Sequence, residues 1–157
     1  MATEIERKFL VDDEKWSTLP KAAGIHYRQG YIIKDQLKTI RIRIAGAVGF
    51  ITIKGKTTGI SRAEYEYAIP LADAEEMLDR FCGEVVKKIR YRVNYAGKIW
   101  EVDEFMDHNE GLIVAEIELK TESDAFEIPD WIAQEVTGDE RYYNSNLSVN
   151  PYKTWQA

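Results

Sequence analysis

The chain has 157 residues, of which 45% are hydrophobic and 31% charged, and a net charge of −6, a composition that is globular rather than disordered. Electrostatics of that sign oppose nucleic acid and anionic membranes, so an anionic ligand requires a local concentration of cations. One cysteine, Cys82, and two histidines, His26 and His108, exclude an intramolecular disulfide framework and a cysteine zinc site, and leave carboxylate oxygen as the abundant metal donor, which suits Mg2+ or Mn2+.

In chain order, the alternation over residues 2–11 predicts a strand with Glu4, Glu6 and Lys8 on one face and Ile5, Arg7 and Phe9 on the other. A short helix is expected around Trp16, closed by Pro20. Strands follow over 27–33 and 38–44; in the second, Ile40, Ile42 and Ile44 oppose Arg41 and Arg43. Residues 45–47 form a tight connection to a strand over 50–54 that carries Thr52 and Lys54. Gly55-Lys56-Thr57-Thr58-Gly59 lacks the spacing of a phosphate-binding P-loop and leads into another strand, 60–69, with Arg62, Glu64 and Glu66 on one face.

Residues 71–82 carry Leu71, Ala74, Leu78 and Phe81 at helical spacing, with Gly83 as the stop. Strands are expected over 85–95 (Lys88, Arg90 and Arg92 together), 98–105 (Glu101 and Asp103 together) and 112–120 (Glu116, Glu118 and Lys120 together). Beyond residue 121 the expectation is helical turns near 124–126, 131–136 and 140–144. The whole reads as one domain over 1–157, a barrel at about 2–120 and a C-terminal helical segment at about 121–157. With no apolar leader and no span of about 20 apolar residues, the expected compartment is the cytoplasm.

The charges are sorted by strand, acids with acids and cations with cations, whereas an ordinary wet surface mixes both signs. The opposite faces carry rows of isoleucine, tyrosine and tryptophan that need cover. If the apolar face lies outward under helices, the charged face lies inward, and about eight antiparallel strands close into a barrel with a charged tunnel. The fold class expected is therefore α+β dominated by β. Six cations (Lys8, Arg41, Arg43, Lys54, Lys88, Arg90) face seven acids (Glu4, Glu6, Glu64, Glu66, Asp103, Glu116, Glu118). Buried charge needs partners, and a ligand with several phosphates together with Mg2+ or Mn2+ supplies both signs.

The ordered set of Glu-x-Glu-x-Lys (Glu4, Glu6, Lys8), Arg-x-Arg (Arg41, Arg43), Lys54, Glu-x-Glu (Glu64, Glu66), Lys-x-Arg (Lys88, Arg90) and a late Glu-x-Glu (Glu116, Glu118) resembles the CYTH domain of the triphosphate tunnel metalloenzymes. The opening residues and the short chain are most similar to the small bacterial tripolyphosphatases. The resemblance implies that the six cations hold a triphosphate and that the acids hold a divalent metal. It also implies a basic side chain from a C-terminal helix at one tunnel mouth, for which Arg141 is the nearest candidate. The expected activity is metal-dependent hydrolysis of tripolyphosphate. The alternatives are hydrolysis of thiamine triphosphate or a nucleoside triphosphate, cyclisation of ATP, and a binding module without catalysis. An organic headgroup would need aromatic residues at the mouth, and Tyr27, Tyr31 and Trp16 are the candidates. Nucleic acid and membrane are not expected partners. Trp131 and Trp155 are read as cover for apolar surface or as a homodimer contact, His26 and His108 as non-catalytic, and Cys82 as a buried helix-end residue.

Overall fold

A computed structural model describes residues 3–155. Its strands are β1 (Thr3–Val11), β2 (Ile25–Lys34), β3 (Lys38–Ala45), β4 (Val48–Gly55), β5 (Ser61–Ile69), β6 (Val86–Tyr95), β7 (Lys98–Phe105), β8 (Ile113–Glu118) and β9 (Ile132–Glu135). The helices are α1 (Asp13–Thr18), α2 (Leu71–Phe81) and α3 (Asn144–Leu147). The sheet runs β5-β4-β3-β2-β6-β7-β8-β1 and closes where β1 meets β5, so eight antiparallel strands form the expected barrel and β9 lies outside the ring beside β1. β1 divides its free edge between two partners. Thr3, Glu4 and Ile5 pair with β5, whereas Phe9 and Val11 pair with β9.

Strand alternation sends the sorted charges inward. Outside, two apolar patches are covered. α1 sets Trp16 into a cluster with Phe9, Trp100, Ile117 and Trp131, where the Trp16 indole Nε1 donates to Glu104 Oε2 at 2.6 Å. α2 lays Ala74 and Leu78 over Ile42 and Ile44. This approach is close because β4 has no side chain at Gly49: a Cβ there would sit 2.7 Å from Ala74 Cβ and 3.2 Å from the Ile69 carbonyl oxygen. Gly49→Val should cost roughly 1–3 kcal/mol, measured as a lowered urea midpoint; an unchanged midpoint would show that α2 can shift freely.

The third cluster is inside the barrel. Continuing each inward row towards one end replaces charge by hydrocarbon: Leu10 follows Lys8, Val86 precedes Lys88, Phe105 follows Asp103 and Val114 precedes Glu116. These residues pack with Leu112, Val136, Tyr142 and Leu147, so the C-terminal segment stoppers that end of the barrel.

The C-terminal segment departs from its expected form. Residues 131–136, expected as helical turns, contain strand β9, and 124–126 hold no helix; the helical pieces of that segment are the turn at Glu140–Tyr142, α3 and a turn at Tyr152–Thr154. The physical reason is the edge of β1 beyond β5. Its backbone groups need partners, and β9 provides them, with Val136 N–H donating to the Lys8 carbonyl at 2.8 Å. No helix among the described residues is long and apolar enough to cross a membrane.

Candidate active site

Cross-strand register determines which charges meet. Lys8 lies opposite Glu116 and Glu6 opposite Glu118; Arg90 lies opposite Asp103, Lys54 opposite Glu64, Arg43 opposite Gln29 and Arg41 opposite Tyr31. The result is a cavity of about 330 Å³ lined by all six expected cations, Lys8, Arg41, Arg43, Lys54, Lys88 and Arg90, and by Glu4, Glu6, Glu64, Glu66, Glu116 and Glu118.

Asp103 is the acid that does not join this lining. It is 1% exposed and spends its oxygens on cations: Lys88 Nζ donates to Oδ2 at 2.7 Å, and Arg90 donates from Nε to Oδ1 at 2.7 Å and from Nη2 to Oδ2 at 2.9 Å. Burial alone would raise its pKa, but Arg90 and Lys88 outweigh that and hold it at about 2. Burial likewise drives the Lys88 ammonium towards losing its proton, and Asp103 opposes this. Asp103 therefore supports the cations from behind. The cavity-facing acid of β7 is Glu101, in ion pairs with Arg90 at 3.3 Å and Arg92 at 2.8 Å.

Towards the other end, Lys54 Nζ donates to both oxygens of Glu4 at 3.1 and 2.9 Å, and Arg62 Nε to Glu4 Oε1 at 3.0 Å. Burial works against ionising Glu4, yet Lys54 and Arg62 bring it down to about 2. Arg62 lines the cavity and was legible from its alternation with Glu64 and Glu66. Arg41 Nη2 reaches Thr52 Oγ1 at 3.1 Å and Glu66 Oε2 at 3.4 Å, while its buried Nε has no hydrogen-bond partner. Burial, then Arg41 and Arg90, push the Arg43 guanidinium down to about 9. It stays cationic at neutral pH. Crowded cations with an unused buried donor form a site shaped for an oxyanion.

The carboxylates also crowd one another. Burial, with Glu116 and Glu4 adding to it, raises Glu6 well above the ordinary value. Burial and Glu4 raise Glu64, and burial with Glu4 and Glu101 raises Glu118. Glu116 moves the other way because Lys8 and Arg90 outweigh its burial. Hard oxygen donors that repel one another fit a divalent cation. Among the described residues no three His, Cys, Asp or Glu side chains form a ready-made cage, which suits a metal whose shell is completed by phosphate oxygens and water. The sign of the pH effect follows. A carboxyl raised in the fold contributes stability below its unfolded value of 4.5, and that contribution is lost as pH rises through the folded value. Mg2+ added at saturation should therefore raise the melting temperature more at the higher than at the lower of two pH values chosen above 4.5. At 100 times its Kd the gain is about 2.7 kcal/mol. Equal shifts at both pH values, measured against a chelator control, would contradict proton–metal competition.

Two other expected residues, Arg141 and Trp16, lie elsewhere, and Tyr27 lines the cavity. Arg141 is 62% exposed at its side chain and pairs with Asp139 at 2.7 Å, so it does not line the cavity; the Tyr142 carbonyl instead accepts from Lys8 Nζ at 3.3 Å, with the Tyr143 ring 5.4 Å from the same atom. Trp16 is buried outside the barrel wall and is unavailable for stacking. Tyr27 is buried in the cavity wall with Arg43 and Arg90 guanidinium carbons 4.9 and 5.1 Å from its ring centre, and the half-buried Tyr31 is the other expected aromatic of the lining. His26 is exposed near the start of β2 and His108 in the turn at Asp107–Asn109. Cys82 is half-buried after α2, Trp131 is in the core and Trp155 packs on Tyr142 and Tyr152.

Comparison with known proteins is consistent along the chain. The CYTH domain matches residues 2–148. An inorganic triphosphatase of Acetivibrio thermocellus is 51% identical over 157 residues, covering 99% of each chain. An inorganic triphosphatase of Nitrosomonas europaea is 36% identical over 155 residues, covering 94% of this chain and 98% of that one. A crystal structure of an inorganic triphosphatase superposes with a TM-score of 0.65 at 35% identity, covering 94% of this chain and 95% of that one.

Proposed function

Since the chain belongs to the CYTH domain family, we propose that it hydrolyses inorganic triphosphate to pyrophosphate and phosphate in the charged cavity of the barrel. The protein is a hydrolase of the phosphoric anhydride class, as are the inorganic triphosphatases it is similar to along its whole length. The observation that carries the reading is the convergence of six buried cations in one cavity, with the Arg41 Nε unpaired.

In this reading Lys8, Arg41, Arg43, Lys54, Lys88 and Arg90 grip the phosphate oxygens. Water attacks the terminal phosphorus, the bridging oxygen leaves with the middle phosphate, and pyrophosphate departs. Charge builds on the transferred phosphoryl group and on the leaving oxygen, and fixed guanidinium and ammonium groups stabilise both. Glu4, Glu6, Glu64, Glu66, Glu116 and Glu118 would hold the family's divalent metal, taken as Mg2+ or Mn2+, which when bound polarises phosphoryl oxygens as a Lewis acid. Asp103 holds Lys88 and Arg90 in place and opposes the loss of the Lys88 proton that burial favours. A bare triphosphate is favoured over an organic one because Trp16 is walled off and the Tyr27 ring is used by guanidinium groups.

A phosphate-release panel tests this. Tripolyphosphate with Mg2+ or Mn2+ should be turned over at least tenfold faster than ATP or thiamine triphosphate, and a chelator or Glu116→Gln should abolish the rate. Comparable turnover of ATP would overturn the substrate assignment. Tight binding without release of phosphate would leave a binding module.

A further inference from the structure

Between the charged cavity and the hydrocarbon stopper lies a pair of neutral amides. Gln29 is fully buried on the inward face of β2; Asn144 opens α3 on the C-terminal segment. We propose that Gln29 and Asn144 are positioning residues for the anion site: a two-amide bridge that fixes the Arg43 guanidinium and the Lys88 ammonium without neutralising either.

The orientation of the bridge follows from its ends. Arg43 has no acceptor, so its Nε must donate, and it does so to Gln29 Oε1 at 2.9 Å. The Gln29 amide nitrogen is thereby turned towards Asn144, donating to Oδ1 at 3.2 Å and to the Tyr31 hydroxyl at 3.3 Å. Asn144 Oδ1 must then be the oxygen, and it also accepts from Lys88 Nζ at 2.9 Å. Both amides are thus locked against flipping by cations that can only donate.

Neutrality is the point of the arrangement. Lys88 and Arg90 already share Asp103, whereas Arg43 has no acid within ion-pair distance among the described residues. A carboxylate at position 29 or 144 would satisfy the same donors and make a stronger hydrogen bond. It would also place a permanent negative charge where a phosphate oxygen has to come. The amides supply geometry and leave the positive charge available.

This assignment rests on the triphosphate reading, and its test separates the two. Calorimetry with tripolyphosphate in the presence of chelator measures the grip of the cations alone. Asn144→Asp and Gln29→Glu should each weaken that Kd by roughly tenfold or more, while the melting temperature stays equal to wild type or rises. Stability kept and anion binding lost is a combination that a merely structural role would not produce. Wild-type affinity in both variants, or a loss that follows a fall in melting temperature, overturns the bridge. Wild-type protein that neither binds nor hydrolyses tripolyphosphate overturns the functional reading, and the bridge with it.

Discussion

Asp103→Ala is expected to lower stability by about 3–5 kcal/mol, the penalty for leaving one side of a buried ion pair uncompensated. Three short hydrogen bonds end on this carboxylate, and its partner Lys88 is 0% exposed. The melting temperature should fall by roughly 10 °C. Without Asp103, burial drives the proton off Lys88, so affinity for tripolyphosphate should fall too. Asp103→Asn separates shape from charge, since it fits the space but cannot accept from both cations at full strength. The pH dependence has a definite sign. A carboxyl depressed in the fold contributes fully above its unfolded value near 3.8 and loses that contribution as pH falls to about 2. The wild-type and Asp103→Ala stability curves should therefore converge in strong acid. A urea midpoint within error of wild type at pH 7 would contradict the support role.

The second large effect is on activity. Arg41→Ala should reduce kcat/KM for tripolyphosphate by roughly 10²–10³, the cost of removing a preorganised charged donor from a site of developing negative charge. It should not destabilise the protein in proportion. Arg41 carries an unpaired buried Nε, and its charge is one of those that push Arg43 towards losing its own; taking it away relieves both. Arg41→Lys should recover only part of the rate, because an ammonium cannot offer the two parallel donors of a guanidinium. If Arg41→Ala retained wild-type kcat/KM, the cation ring would need another purpose.

The barrel was legible because six of its eight strands carry charge at alternate positions, largely sorted by sign, which an ordinary wet surface would mix. The stopper was legible in principle from the same rows. Leu10, Val86, Phe105 and Val114 are the inward positions next in line after Lys8, Lys88, Asp103 and Glu116, and only hydrocarbon there signals where the cavity ends. Asp103 could not be separated from Glu101 by alternation, since both point inward. What divides them is cross-strand register, which puts Arg90 opposite Asp103, and register is a property of two strands. β9 was misread because Trp131, Ile132 and Val136 have helical spacing, and the demand that overrides it comes from an unpaired edge of β1 at the far end of the sequence. Arg141 was chosen as the nearest cation, but Asp139, two residues earlier, holds it on the surface.

The divided edge of β1 also sets a timetable. β1 pairs with β5, β8 and β9, all later in the chain, and its Arg7–Glu135 contact joins residues 128 positions apart. Loops that long close late and slowly. Until they do, Lys8 has no Glu116 opposite it, Glu4 has no Lys54, and the outward apolar rows of the early strands lie uncovered. The barrel is closed, and its charges are paired across strands, only when both edges of β1 are occupied.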